Sequence, residues 1–124
     1  MERIQKLQND VKKWSDETFG AHRTGTPIAY HLKKEIKEVI DALEEYHQGT
    51  YSNEVDGIVE QYFLKRNRIK FELADCLTLL IDIAAHEQID MDDLLDACER
   101  KLVINKGRKW GEPDENGVIE HIHE

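Results

Sequence analysis

The sequence has few cysteines and prolines and no long apolar run. Its 124 residues include two cysteines and two prolines. Cys76 and Cys98 match no zinc-binding or CxxC spacing, so we expect both to be small buried hydrophobic residues rather than a disulfide or a redox pair. No segment approaches the roughly 18 apolar residues of a membrane span, which excludes a membrane protein. The charged segment MERIQKLQND also lacks the apolar core of a secretory signal, so the predicted compartment is the cytoplasm.

Positive charge is scarce as well. The chain has 17 Lys and Arg residues against 26 Asp and Glu residues, a formal net charge of −9. Binding to nucleic acid needs Lys and Arg concentrated on one face, so no nucleic-acid partner is expected. A small anion held through a bound metal is compatible with this charge. The length fits one domain with one core.

Apolar residues recur every three or four positions along most of the chain, which predicts four amphipathic helices. We expect the first from Ile4 to Phe19-Gly20, the second from Thr26-Pro27 to Gln48-Gly49, the third from Val55 to Ala84, and the fourth from an N-cap at Asp90 to between Gly107 and Gly111. The pattern does not decide whether the third helix is continuous or broken near Arg66–Arg68. The segment GTYSN is then a connector between the second and third helices.

Short connections between these helices predict an all-α four-helix bundle whose neighbours are mostly antiparallel. The segment from Gly111 onward is polar and contains Gly and Pro, so it is expected to form an irregular or mobile tail. The predicted division is therefore a bundle over residues 1–110 and a tail over residues 111–124.

The second and third helices carry matching patterns. When Leu32 is aligned with Ile69, Val39 falls on Cys76 and Leu43 on Leu80, so the two apolar stripes are in register. In the same alignment two acidic residues of one helix fall on two of the other and flank the stripes on the same side: Glu35 on Glu72, and Glu38 on Asp75. If the helices pack antiparallel, the four carboxylates can converge.

Converging carboxylates need a cation, because their like charges repel one another. Mg²⁺ prefers hard oxygen ligands and commonly completes its shell with waters and substrate phosphates, so four carboxylates with open coordination positions favour a phosphate-bearing substrate. The alternative is two solvated acidic faces, which are common on helices.

A basic strip follows on the fourth helix. Lys101, Asn105 and Arg108 are spaced to share one face if the helix extends that far, and such a strip can bind phosphates. The alternative is the usual enrichment of cations at a helix C-terminus. Trp14 is expected to anchor the core and Trp110 to pack the tail, and either can instead stack on a nucleobase. The terminal His121 and His123 are typical of a solvated tail.

These segments resemble the all-α nucleoside triphosphate pyrophosphatases of the MazG-like superfamily, whose signature is E-E-x-x-E followed by E-x-x-D. Glu35 and Glu38 match the first half, and Glu72 and Asp75 match the second. Lys34 stands at the first acidic position and the interval between the halves is slightly longer than usual, but neither change removes a predicted ligand. The stretches WSDETFG, HLKKEIKEV, ELADCL and KLVINKGRKWGEPDENGVIEH resemble the dATP/dGTP diphosphohydrolase branch, and the likeness covers nearly the whole chain.

The resemblance implies hydrolysis of a nucleoside triphosphate, dATP or dGTP, to the monophosphate and pyrophosphate. It implies Mg²⁺, or Mn²⁺ as a substitute, held by Glu35, Glu38, Glu72 and Asp75, with phosphates contacted by Lys101, Asn105 and Arg108. The expected mechanism is in-line attack by a metal-activated water, with Glu38 as general base and with Lys101 and Arg108 stabilising the developing charge. Relatives imply a homodimer or homotetramer. The alternatives are a non-catalytic helical interaction module and a nucleotide sensor.

Overall fold

The computed structural model describes residues 2–48 and 55–123. They form four α-helices: α1 (Arg3–Phe19), α2 (Gly25–Gln48), α3 (Val55–His86) and α4 (Met91–Lys106). Within these two ranges there is no strand, only an isolated antiparallel bridge between Trp110 and His121. The predicted all-α class and the four helices are confirmed. The predicted connector GTYSN lies outside the described residues.

The chain divides into two compact units, Met1–Met91 and Asp92–Glu124. The first unit contains α1, α2 and α3. The second contains nearly all of α4 and the segment that follows it. The division into a bundle of residues 1–110 and a separate tail stays a prediction.

The predicted boundaries of α1 are confirmed, but α2 begins earlier than expected. α1 ends at Phe19, and the φ of 107° at the following Gly20 lies in the region that favours glycine. α2 begins at Gly25, so Thr26 lies within its first turn and is not the N-cap. The Gly25 N–H instead donates to Glu87 Oε1 at 3.2 Å, a carboxylate from the segment after α3. A carboxylate from another part of the fold therefore caps α2, which local sequence does not reveal.

The third helix is continuous. α3 runs for 32 residues without a break, which answers the question that the sequence left open near Arg66–Arg68. It ends at His86, and the following turn contains Gln88 with a φ of 62°. The Ile89 N–H donates to the Ala84 carbonyl at 2.8 Å within this turn. α4 then begins at Met91, directly after the predicted cap position Asp90.

α2 and α3 pack antiparallel. The start of α2 meets the end of α3 through Gly25 and Glu87, and the end of α2 meets the first half of α3 through an ion pair between Glu45 and Arg68. The predicted core stripes are only partly correct. Val39 and its aligned partner Cys76 are buried, whereas Ile36, Ile40, Leu43, Leu73, Leu77 and Leu80 are exposed. Among the side chains of these two helices that the structure describes, the buried apolar ones are Ile28, Val39, Ala42, Ile69, Cys76, Ile81 and Ala84.

α1 is fixed to α3 and the following turn by buried polar groups. The Gln8 side chain is buried, and its Nε2 donates to the Ile89 carbonyl at 2.9 Å. Gln5 Oε1 accepts a hydrogen bond from the Met91 N–H at 2.9 Å. A buried polar side chain is stable only when it is hydrogen-bonded, so these contacts fix the position of α1 along α3.

The segment after α4 is ordered by hydrogen bonds although it forms no helix or strand. Gly111 N–H donates to the Glu120 carbonyl at 2.9 Å, and Ile122 N–H donates to the Lys109 carbonyl at 2.8 Å. Asp114 Oδ1 accepts two backbone N–H groups at the turn. The sequence predicted an irregular tail here, and the structure adds that this tail folds back on itself.

Candidate active site

Three of the four predicted metal ligands come together in the first unit. Glu35 from α2 and Glu72 and Asp75 from α3 each offer a carboxylate oxygen, and these oxygens lie within 4.8 Å of one another. The i,i+3 spacing places Glu72 and Asp75 on one face of α3, and the antiparallel packing brings Glu35 to that face. Glu35 and Glu72 are partly buried and Asp75 is exposed, so the group opens to solvent. We call these three residues the carboxylate cluster.

Glu38 lies outside the carboxylate cluster. Its carboxylate Oε2 lies 3.9 Å from Arg68 Nη2 of α3, and Arg68 also pairs with Glu45. A role for Glu38 as a metal ligand therefore stays a prediction.

The donors of the carboxylate cluster suit Mg²⁺. All are hard carboxylate oxygens, they come from two rigid helices, and one side is open to water and to substrate oxygens. Without a cation the three charges repel one another, so a divalent ion removes an electrostatic cost built into the fold. A histidine also borders the cluster, since His31 Nε2 lies 3.2 Å from Glu35 Oε1.

Cys76 lies under this cluster. Its burial, together with the charges of Glu35, Asp75 and Glu72, raises the pKa of the Cys76 thiol. The thiol therefore stays protonated and behaves as a small apolar group, as expected from sequence. The same expectation was wrong for Cys98, which is exposed.

A cavity of about 380 Å³ adjoins the carboxylate cluster. Glu35 and Asp75 of the cluster line it. Its remaining lining residues are Val11, Trp14, Phe19, Arg23, Ile28, His31, Thr78, Leu79 and Asp82. This volume lies in the usual range for small-ligand sites, which runs from roughly 300 to 1,000 Å³. The cavity therefore places apolar, aromatic and charged groups within reach of one ligand.

Aromatic side chains form one wall of this cavity. Trp14 is 58% exposed, so the expectation that it anchors the core is wrong. Its ring meets Phe19 edge to face at 5.3 Å, and the Arg23 guanidinium lies over the Phe19 ring at 5.0 Å. Phe19 and Arg23 were not predicted from the sequence, because one marks a helix end and the other lies in a loop. We call Trp14, Phe19 and Arg23 the aromatic wall.

A buried polar group lies beside the cavity and was also missed. Ser15 Oγ donates to Asp82 Oδ1 at 3.2 Å and lies 3.0 Å from His86 Nε2. His86 Nε2 also lies 3.1 Å from Asp82 Oδ1. Ser15 and Asp82 are far apart in the sequence, and no local motif links them. Only the packing of α1 on α3 brings them together.

The predicted basic strip belongs to the second unit. α4 ends at Lys106, so the helix does not extend to Arg108, and the shared helical face that was predicted for a longer helix does not include this residue. A hydrogen bond nevertheless holds the Arg108 side chain beside Asn105, since Arg108 Nη1 donates to Asn105 Oδ1 at 2.9 Å. Trp110 Nε1 donates to the Asn105 carbonyl at 3.0 Å and packs in the tail as expected.

His121 is drawn into this basic environment by the folded tail. Its ring meets Trp110 edge to face at 6.0 Å and His123 at 4.3 Å. Partial desolvation and the positive charges of Arg108, His123 and Lys101 lower the pKa of His121. The basic strip therefore creates a positive field at His121, which favours the binding of anions nearby.

Comparison with known proteins identifies the family of the chain. The family model described as dATP/dGTP pyrophosphohydrolase matches residues 67–124. A curated dATP/dGTP diphosphohydrolase of Cyanophage S-2L is 34% identical over 74 residues, which cover 60% of this chain and 67% of that protein. The chain belongs to the dATP/dGTP pyrophosphohydrolase family. Membership identifies it as a hydrolase that acts on nucleoside triphosphates, and it agrees with the resemblance to the MazG-like superfamily.

The family match covers part of the candidate site. Residues 67–124 include Glu72 and Asp75 of the carboxylate cluster and the whole basic strip, but they exclude Glu35 and the aromatic wall. No solved structure matches the chain significantly. In the described part of the chain, no helix is long and apolar enough to cross a membrane.

Proposed function

We propose that this protein is a Mg²⁺-dependent pyrophosphohydrolase that converts dATP or dGTP to the monophosphate and pyrophosphate. The observation that carries the proposal is the carboxylate cluster, whose oxygens lie within 4.8 Å of one another at the edge of a cavity of about 380 Å³. Family membership supports the reaction class, and the dATP/dGTP diphosphohydrolase activity for which the phage relative is named supports the purine deoxynucleotides.

Glu35, Glu72 and Asp75 would hold the metal, with Glu38 as a fourth ligand or as general base. When bound, Mg²⁺, or Mn²⁺ in its place, would neutralise phosphate charge and lower the pKa of a coordinated water. Glu38 would take a proton from the attacking water, whose oxygen bonds to the α-phosphorus while the bond from that phosphorus to the α–β bridging oxygen breaks and pyrophosphate departs. The carboxylates thus serve both to position the substrate and to accept the proton.

The remaining predicted residues would bind the nucleotide. Trp14 presents an exposed aromatic face within the cavity lining, and a purine can stack there. Lys101, Asn105 and Arg108 would contact phosphates, and the two cations among them would stabilise charge that develops on the leaving pyrophosphate. Desolvation is the main cause of the lowered pKa of His121, and the charges of Arg108 and Lys101 add to it, which places both cations near the folded tail.

The proposal includes a homodimer or homotetramer in the cytoplasm. The support for an oligomer is a set of large apolar residues on α2 and α3 that are exposed in the single chain: Ile36, Ile40, Leu43, Leu73, Leu77 and Leu80. Large exposed apolar patches usually mark interfaces. Light scattering of the purified protein should give a mass of two or four chains, and a monomer would contradict this part of the proposal.

A nucleotide panel tests the activity. The protein is incubated with each deoxynucleoside triphosphate and Mg²⁺, and pyrophosphate release is measured. We expect turnover with dATP and dGTP, and loss of turnover in Glu38→Ala and Asp75→Ala with helical circular dichroism unchanged. Asp41→Asn is the matched control. Asp41 is a carboxylate of α2 outside the carboxylate cluster, and its Oδ2 lies 3.1 Å from Lys37 Nζ. Binding without turnover would indicate a sensor, and neither binding nor turnover would indicate an interaction module.

A further inference from the structure

The buried group beside the cavity joins three parts of the first unit. Ser15 on α1 is 1% exposed and Asp82 on α3 is 4% exposed, and His86 lies between them with its side chain 2% exposed. Asp16 Oδ1, which is buried without a hydrogen-bond partner, lies 3.7 Å from His86 Nε2. Four polar side chains thus converge where α1 crosses α3.

The two nitrogens of His86 face different partners. Nδ1 lies 3.1 Å from the Arg23 carbonyl oxygen, in the loop between α1 and α2. A carbonyl oxygen only accepts hydrogen bonds, so Nδ1 carries the proton and donates. Nε2 faces Ser15 and Asp82. His86 therefore connects α3 and α1 through one nitrogen and the loop through the other.

The tethered loop carries part of the cavity. The Arg23 side chain lines the cavity and lies over the Phe19 ring, which in turn meets Trp14. The second anchor of this loop is the hydrogen bond from the Gly25 N–H to Glu87 Oε1. Gly25 packs closely there, because a Cβ at this position would lie 3.0 Å from Ile83 Cγ2. The Arg23 end of the loop is fixed to α3 by His86.

We infer that His86 is a positioning residue whose Nδ1–H bond to the Arg23 carbonyl holds the aromatic wall in place for the nucleotide. The inference rests on the proposed function and deepens it. His86 does not line the cavity, so it acts on the substrate through the loop. Loss of the tether should raise KM and leave kcat nearly unchanged, since the carboxylate cluster is held by other contacts.

Two substitutions distinguish the roles of the two His86 ring nitrogens. The amide nitrogen of Asn is as many bonds from Cβ as Nδ1 of His, and the amide nitrogen of Gln is as many bonds from Cβ as Nε2. His86→Asn therefore keeps a donor for the Arg23 carbonyl, whereas His86→Gln keeps a polar group toward Ser15 and Asp82 and loses the tether. Both variants remove one contact of the same buried side chain, so each serves as the folding control for the other.

The first measurement compares KM and kcat for dGTP and dATP in both variants. We expect His86→Gln to raise KM roughly three- to tenfold, the change that corresponds to loss of one hydrogen bond, with kcat within about twofold. His86→Asn should stay within about twofold of the wild type in KM. Thermal unfolding should show that both variants are folded at the assay temperature.

The second measurement needs no turnover. In a Trp110→Phe background, Trp14 is the one remaining tryptophan, and its fluorescence reports on the aromatic wall. Acrylamide should quench Trp14 more strongly in His86→Gln than in His86→Asn, because release of Arg23 loosens the Phe19 contact. If the protein turns over no nucleotide, the proposed function fails. The quenching difference then tests by itself whether the bond from His86 to the Arg23 carbonyl holds the aromatic wall.

Equal effects of the two substitutions, in KM or in quenching, would show a purely structural role and overturn the inference. A fall of kcat without a change in KM in folded His86→Gln would also overturn it, because His86 would then act in the chemical step.

Discussion

Arg68 Nη2 of α3 lies 3.9 Å from Glu38 Oε2 of α2, one helical turn along α2 from Glu35 of the carboxylate cluster. Arg68 also forms an ion pair with Glu45, so it is shared between two carboxylates. A cation beside a predicted metal ligand competes with the metal for that ligand. The relationship therefore provides a test of whether Glu38 binds metal.

Arg68→Gln should strengthen the apparent affinity for Mg²⁺. Removing the guanidinium frees Glu38 and lowers the local positive charge, and for a partly exposed pair we expect about a two- to fivefold fall in the Mg²⁺ concentration giving half-maximal pyrophosphate release. Lys6→Gln removes the same charge from an exposed pair on α1 and should leave this concentration unchanged. An unchanged requirement in Arg68→Gln would argue against Glu38 as a ligand.

Glu72→Gln should separate metal binding from folding. Without divalent cations the substitution removes repulsion within the carboxylate cluster, so the unfolding temperature should rise by a few degrees. Mg²⁺ at 100-fold above its Kd should stabilise the wild type by about 2.7 kcal/mol, and this gain should disappear in the variant. Asp41→Asn should keep the full Mg²⁺ response. A metal-independent unfolding temperature in the wild type would contradict the site.

Much of the fold was predictable from the sequence because helix periodicity is local. The ends of α1 follow from its apolar spacing and from Gly20, whose positive φ stops the helix. The start of α2 was missed by two residues, since Pro27 was the predicted first helical residue and the helix begins at Gly25, which is capped by Glu87, distant in sequence. The prediction that the whole apolar stripe of each helix is buried was wrong, because α2 and α3 each carry more apolar surface than one neighbour covers.

The candidate site was also predictable only in part. Glu35, Glu72 and Asp75 were predictable because i,i+3 spacing and antiparallel register follow from helix geometry. The Arg68 contact of Glu38 depends on side-chain rotamers, which no pattern specifies. The contact of His86 with the Arg23 carbonyl depends on a loop conformation and on the packing of α1 on α3. Such contacts join residues that share no local signal.

Cys98 should react with iodoacetamide much faster than Cys76. Cys98 is exposed, whereas Cys76 is 6% exposed and burial with three nearby carboxylates raises its thiol pKa, so little nucleophilic thiolate is present at pH 8. Peptide mass spectrometry of the folded protein should show a labelling rate for Cys98 that is at least about tenfold higher than that for Cys76. Urea should equalise the two rates. Rapid labelling of Cys76 in the native protein would contradict the packing described beneath the cluster.

Arg108→Gln should raise the pKa of His121. Partial desolvation and the charges of Arg108, His123 and Lys101 lower this pKa by opposing the protonated ring, so removal of one positive charge lets the ring hold its proton to higher pH. Nuclear magnetic resonance titration of the His121 ring proton measures the change. Pyrophosphate should act in the same direction on the wild type, because a bound anion favours the imidazolium.

Lys106→Gln is the control, since Lys106 is not among the groups that lower this pKa. A downward shift in Arg108→Gln, or none, would show that Arg108 does not act on the ring, and the basic strip would then lose its main support as a phosphate site.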